Sequence, residues 1–345
     1  MSRSDTTGRD GLKTWSFDAF VVGIAAAGNG RTFGVALGDG TVRIVDADAP
    51  EPSPITAHAG ACLSFAADTD PDAFLSGGDD GKLVRINATG EVTTLAETKG
   101  KWIDQVTAHA GAGVRVYAIG KDAYVLDTKG KKEPRKLSHA SSVGGLAINP
   151  KGKRLAVSHY NGVTLWWLAA QDSKPQMLDW KGSHLAVAWS PHGDYVITEM
   201  QENSLHGWRL SDNNHMRMSG YGAKVRSMSF SRRGVVLATG GADTVICWPF
   251  SGGGPMGKAP LEFGSGPMNV SDGSPVTAVA SNPKRDVIAA GFANGAIVLG
   301  NPGVRSVAIA GARKAPVTAL AWNAAGDRLI VGDEAGDVVL ADFRG

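Results

Sequence analysis

The chain has 345 residues, enough to bury a large core as one repeat domain or two ordinary ones. Its 35 basic and 33 acidic side chains leave a net charge of +2, which excludes an acidic solvating chain and a broadly basic nucleic-acid binder. No apolar run reaches the ~18 residues of a membrane span, the opening MSRSDTTGRDGLKTW has no apolar signal core, and Cys62 and Cys247 lack metal or redox spacing; a cytoplasmic protein with two reduced, buried thiols is expected.

The first 11 residues read as a mobile tail, and LKTWSF (12–17) as a strand. Next comes VVGIAAAGNGRTFGVALGDGTVRI (21–44), three short runs of period-2 alternation separated by turn residues. That is the pattern of antiparallel strands joined by hairpins. It returns at 62–86, 102–126, 143–165, 185–207, 225–247, 276–299 and 317–340, eight repeats in all. The second turn favours Asp-Gly or Asn-Gly, whose glycine supplies a positive φ. Asp39 and Asp80, like Asn294 and Ala335, open equivalent turns about 41 residues apart, within the 20–50 range of repeat architectures.

A fourth run such as PSPIT, EVTTLA or PQMLDW follows most repeats, making four strands per unit. The spacing from Val225 to Val276 exceeds the period because of a Gly/Pro-rich insertion, SGGGPMGKAPLEFGSGPMNVSDGS (251–274). The last repeat ends at ADFRG without a fourth strand. A lone four-stranded sheet cannot bury both faces, so neighbours must stack. The expected fold is all-β: an eight-bladed β-propeller of four-stranded antiparallel blades over 12–345, its ring closed by LKTWSF completing the last blade.

With the repeats laid out, the chain resembles the WD-repeat (WD40) propellers from about Leu12 onward. Asp39-Gly40-Thr41-Val42-Arg43-Ile44-Val45-Asp46 matches that family's hairpin and third strand, with Val45 in its Trp place. Trp166, Trp208 and Trp248 fill the Trp place in repeats four to six, and the terminal Asp recurs at Asp46, Asp127 and Asp342. His58 and His139 match the family's loop histidine, a place held by Trp180 and Tyr221 in repeats five and six. The resemblance implies a structural hydrogen-bond network within a blade, and His139, Ser158, Asn161 and Trp166 come nearest to it. It also implies a non-catalytic scaffold that binds a protein partner, without a cofactor.

Chemistry-bearing patterns are sparse. GGGPMGK (252–258) fits a phosphate loop but has Ala259 where Mg²⁺ needs a hydroxyl and Pro260 where a helix is needed; a flexible inter-strand loop is expected. No histidine pair has helical metal spacing, although His159, His184 and His206 could meet in space, which keeps a metal or enzyme site at a central channel as the alternative function. Glu199, Glu202, Asp333 and Glu334 read as turn chemistry. First hairpins carry Lys151, Lys153 and Arg154, then Arg232 and Arg233, then Lys284 and Arg285, with KGKKEPRK (129–136) beside them. Asp68, Asp70 and Asp72 offset this basic rim, so nucleic acid is not the expected partner. Tyr160, Trp180, Lys181, Tyr221 and Lys224, in turns of three successive repeats, are the candidate protein-binding residues. The compact repeats suggest a bacterial, monomeric protein.

Overall fold

The computed structural model describes residues 11–344 except 47, 50, 130–132, 171–172, 265–271, 303, 311–312 and 314. The expected N-terminal tail, apart from Gly11, and the middle of the 251–274 insertion lie outside the described residues. The described chain is all-β except for one 3-10 turn, Ala110–Ala112. No helix in it is long and apolar enough to cross a membrane.

Strand pairing corrects the expected blade count. The described strands form seven antiparallel sheets, not eight: six have four strands and one has six. The six-stranded sheet contains repeats four and five. Its strands Arg154–Trp167 and Gln176–Trp189 are each 14 residues long and run through positions where the repeat pattern put a break. Asn161 and Gly162, with φ of 68° and 141°, and Gly182, with φ of 114°, absorb the bends while pairing continues. Tyr160 pairs with Ser183, and Gly162 with Asp179, across a bulge.

The chain divides into two compact units. One comprises residues 1–24, 202–205 and 216–345; the other comprises 25–201 and 206–215.

In the first unit, the last repeat supplies three strands, Val317–Trp322, Arg328–Asp333 and Asp337–Asp342, and the strand Leu12–Ser16 supplies the fourth. Leu12 pairs with Ala341 and Ser16 with Asp337. Local chemistry sets both hairpins. The Asn323 side chain accepts from the amides of Asp327 and Arg328 at 3.1 Å each, and Gly326 closes that turn at a φ of 70°. Asp333 accepts from the amides of Ala335 and Asp337 at 3.0 and 2.9 Å, and Gly336 follows at 89°. The apolar faces of neighbouring sheets pack together: Ala289 and Ile297 of repeat seven against Leu329, Val331 and Val339 of repeat eight. Hydroxyls tie successive inner strands, with Thr277 donating to the Val317 carbonyl at 2.6 Å and Thr318 to Val21 at 2.8 Å.

The second unit uses the same devices. Leu83 and Ile103 pack with Tyr117, and Ser64 donates to the Ile103 carbonyl at 3.0 Å. Asp68, placed by the sequence on a rim, is buried instead. Arg115 grips it with two hydrogen bonds of 2.6 and 2.7 Å, and Arg85 adds a third at 3.2 Å. One carboxylate thereby joins repeats two and three. Asp70 pairs with Arg85, and Asp72 accepts from Asn29 at 2.8 Å.

Candidate partner-binding face

Each motif residue is positioned by its turn. Asp39 accepts from the Thr41 amide and hydroxyl at 2.9 and 2.7 Å, which shapes the hairpin for Gly40 at a φ of 83°. A Cβ at Gly40 would collide with the Gly60 carbonyl. The Gly40 carbonyl accepts from the His58 amide at 3.0 Å, delivering the loop histidine into the next sheet. His58 is buried there between Asp80 and Ser76, at 3.0 Å from each. This His–Ser–Asp network lies in repeat two, without a tryptophan.

In repeat four the network is divided. Trp166 donates its indole N–H to His139 Nε2 at 3.0 Å, and His139 Nδ1 lies 3.1 Å from the Lys121 carbonyl, so Nδ1 carries the proton. Ser158 is buried with no hydrogen-bond partner for its hydroxyl among the described residues. In repeat six, Tyr221 takes the histidine's place. Its buried hydroxyl bonds Thr239 at 2.8 Å and accepts from Trp248 at 2.6 Å. Trp208 is buried against His184 and His206.

Burial holds His58 and His139 below the ordinary histidine pKa; Asp80 opposes this for His58, and the Lys121 carbonyl for His139. A histidine whose folded pKa is depressed stabilises the fold above its unfolded pKa of about 6.5, and that stability is lost as pH falls through the folded value. The melting temperature should therefore drop between pH 7.5 and 5, and a His139→Gln variant should show a shallower drop. Parallel thermal melts across this range check it, and an unchanged pH slope in the variant would refute the assignment.

The candidate protein-binding residues do not share one environment. Tyr160 is 56% exposed, on a turn pinned by its amide donating to Ser141 Oγ at 2.9 Å. Lys181 is exposed beside it across the Tyr160–Ser183 pairing. Trp180 is half-buried: its ring stacks on His206 at 4.0 Å and meets His215 at 4.8 Å, while its carbonyl lies 2.9 Å from His184 Nε2. Tyr221 is buried in the network above, and Lys224 is half-buried; both belong to the first compact unit.

The sequence reading passed over Trp102, which is 67% exposed. It precedes the inner strand of its repeat, in the same class of connection as Trp180. Its neighbour Ile103 donates an amide to the Gly78 carbonyl at 3.1 Å. Val143 does the same to Gly120 at 2.8 Å. Tyr160 and Lys181 lie at the bends of the two long strands, and the Ser141–Tyr160 bond sets Tyr160 beside the connection that leads to Val143. Position in the repeat was the available signal for Trp102.

Other candidates resolve into structural chemistry. His159 lies 2.9 Å from the Tyr160 carbonyl and 2.7 Å from Thr164, and His184 lies 2.7 Å from Thr198, so both rings are engaged. Among the described residues no group of three or more His, Cys, Asp or Glu is arranged to hold a metal. Lys258 of GGGPMGK folds back to donate to the carbonyls of Ser251 and Gly254, the latter at 2.8 Å. Burial pushes the Cys62 thiol up to about 11 and that of Cys247 to about 12, as suits inert packing.

Residues 213–248 match the family model described as WD domain, G-beta repeat. That segment contains the Tyr221–Thr239–Trp248 network. No curated protein matches the chain. The match and the repeating antiparallel sheets support a WD-repeat β-propeller.

Proposed function

We propose that this WD-repeat chain is a non-catalytic scaffold that docks a protein partner on the surface bearing Trp102, Tyr160 and Lys181. The observation that carries this reading is the exposure of two large aromatic rings: Trp102 at 67%, beside the Ile103–Gly78 backbone bond, and Tyr160 at 56%, at a strand bend whose amide donates to Ser141 Oγ. Rings presented on a rigid base lose little conformational freedom on binding, and aromatic residues dominate interface energetics. Lys181 adds charge at the edge, where it steers association. Trp180 supports the turn from below by its stack on His206. Tyr221 and Lys224 are left out of this face, the tyrosine because its ring and hydroxyl are spent inside the fold.

The test is affinity capture from native lysate with wild type and a folded Trp102→Ala/Tyr160→Ala/Lys181→Ala variant. A stoichiometric protein partner lost in the variant is the expected result. A partner retained at equal yield moves the docking surface elsewhere. Stoichiometric metal in the purified protein, with no partner captured, would revive the enzyme or metal-site alternative.

A further inference from the structure

A second surface lies where repeats three and four meet. A cleft of about 290 Å³ opens between repeats three and four, lined by Val114, Thr128, Lys129, Glu133, Arg135 and Leu168 among others. Trp167 adjoins Leu168 in sequence and is 42% exposed. Arg154 lies over its ring at 5.0 Å, and Arg135 donates to its carbonyl at 2.7 Å. Side chains alternate along a strand, so Leu168 lines the cleft while the Trp167 ring, under Arg154, lies outside it. The hairpin bearing Lys151 and Lys153 borders this region: the Leu168 amide donates to the Lys153 carbonyl at 3.0 Å, and His109 Nε2 lies 3.3 Å from the Pro150 carbonyl.

Charge here is unbalanced in a specific way. Lys129, Lys151 and Lys153 are exposed and make no ion pair among the described residues. Of the acids that offset them in the sequence, Asp68 is paired with Arg115 and Arg85 and Asp70 with Arg85, while Asp72 accepts from the uncharged amide of Asn29. Asp127, which accepts from the Lys129 amide at 2.9 Å, and Glu133 remain at the cleft.

We infer that this cleft docks an acidic peptide segment of a partner. One apolar side chain of the peptide enters between Val114 and Leu168, and flanking carboxylates meet Lys129, Lys151 and Lys153. The cleft has room for a side chain, and Arg135 on its wall beside Leu168 suits a hot spot. A nucleic-acid strand fits less well. Asp127 and Glu133 repel a continuous phosphate backbone, and the described residues lining the cleft offer no aromatic ring as the stacking platform that single strands use. A peptide can space its carboxylates around both acids.

The test uses a fluorescein-labelled heptapeptide, one phenylalanine flanked on each side by three glutamates, read by fluorescence anisotropy against the full chain. Saturable binding that weakens about tenfold in Lys151→Glu/Lys153→Glu, and weakens when phenylalanine is replaced by alanine, is the expected result. Leu168→Ala, checked by circular dichroism, should weaken it similarly; should that variant not fold, the surface variant Lys153→Glu alone carries the test. Absent binding, equal affinity in the lysine variants, or tighter binding of an oligothymidylate through the same lysines would overturn the proposal.

Discussion

Removing residues 1–17 is expected to abolish cooperative unfolding and to leave an aggregation-prone protein. The deletion takes away the strand Leu12–Ser16, which pairs along Asp337–Ala341, and so bares that strand's edge. It also removes two buried rings, Trp15 at 8% and Phe17 at 4% exposure. Phe17 further donates its amide to the Gly336 carbonyl at 2.8 Å, which ties the strand to the hairpin it covers. Truncating a buried aromatic to alanine costs about 3–5 kcal/mol, a large share of the 5–15 kcal/mol that holds a typical domain together. The single variant Trp15→Ala should therefore lower the denaturation midpoint substantially while keeping a single transition, and the deletion should lose the transition altogether. Denaturant titration with light scattering separates the two. A truncated chain that stays monomeric and melts cooperatively would show that this strand is dispensable.

Replacing Asp68 with alanine is the second change expected to have a large effect. Its carboxylate is enclosed, with 0% side-chain exposure, and neutralises two guanidinium groups that are themselves only 14% and 21% exposed. Taking out one partner leaves buried positive charge without compensation, a loss of about 3–5 kcal/mol. Much of that cost belongs to the stranded arginines, so Asp68→Ala/Arg115→Met should recover part of it. Asp70 remains to hold Arg85 in the double variant. Midpoints from urea unfolding of the two variants decide this, and a double variant less stable than Asp68→Ala would point to a role for Arg115 beyond the pair.

These two sites also mark the boundary between local and tertiary information. The turn residues could be read directly, because the hydrogen bonds of Asp39, Asn323 and Asp333 close within a few positions of the side chain. Strand alternation could be read for the same reason, since a period of two is a property of the extended backbone. The blade count could not. Whether Asn161-Gly162 and Lys181-Gly182 end a strand or merely bend it depends on partners across the sheet, and there the pairing continues into one six-stranded sheet. In repeat four Trp166 bonds His139 while the buried Ser158 hydroxyl has no partner among the described residues, a difference that depends on side-chain neighbours rather than on local sequence.

The candidate surfaces divide in the same way. Tyr160, Trp180 and Tyr221 were expected on one face, in loops of three successive repeats, yet one ring is exposed, one is stacked on histidine and one is sealed in a hydrogen-bond network. Sequence position specifies which loop a ring occupies, not which neighbours it finds there. Charge behaves likewise. The near-neutral total and the scattered acids argued against a basic surface, but the total is a property of composition, whereas pairing depends on which side chains the sheets bring within about 3 Å. Sequence by itself determined the repeat, the turn chemistry and the all-β class, because each is written in residues close along the chain. Tertiary structure alone decided sheet membership, ring exposure and which lysines remain available to a partner, because each depends on contacts between residues far apart in sequence.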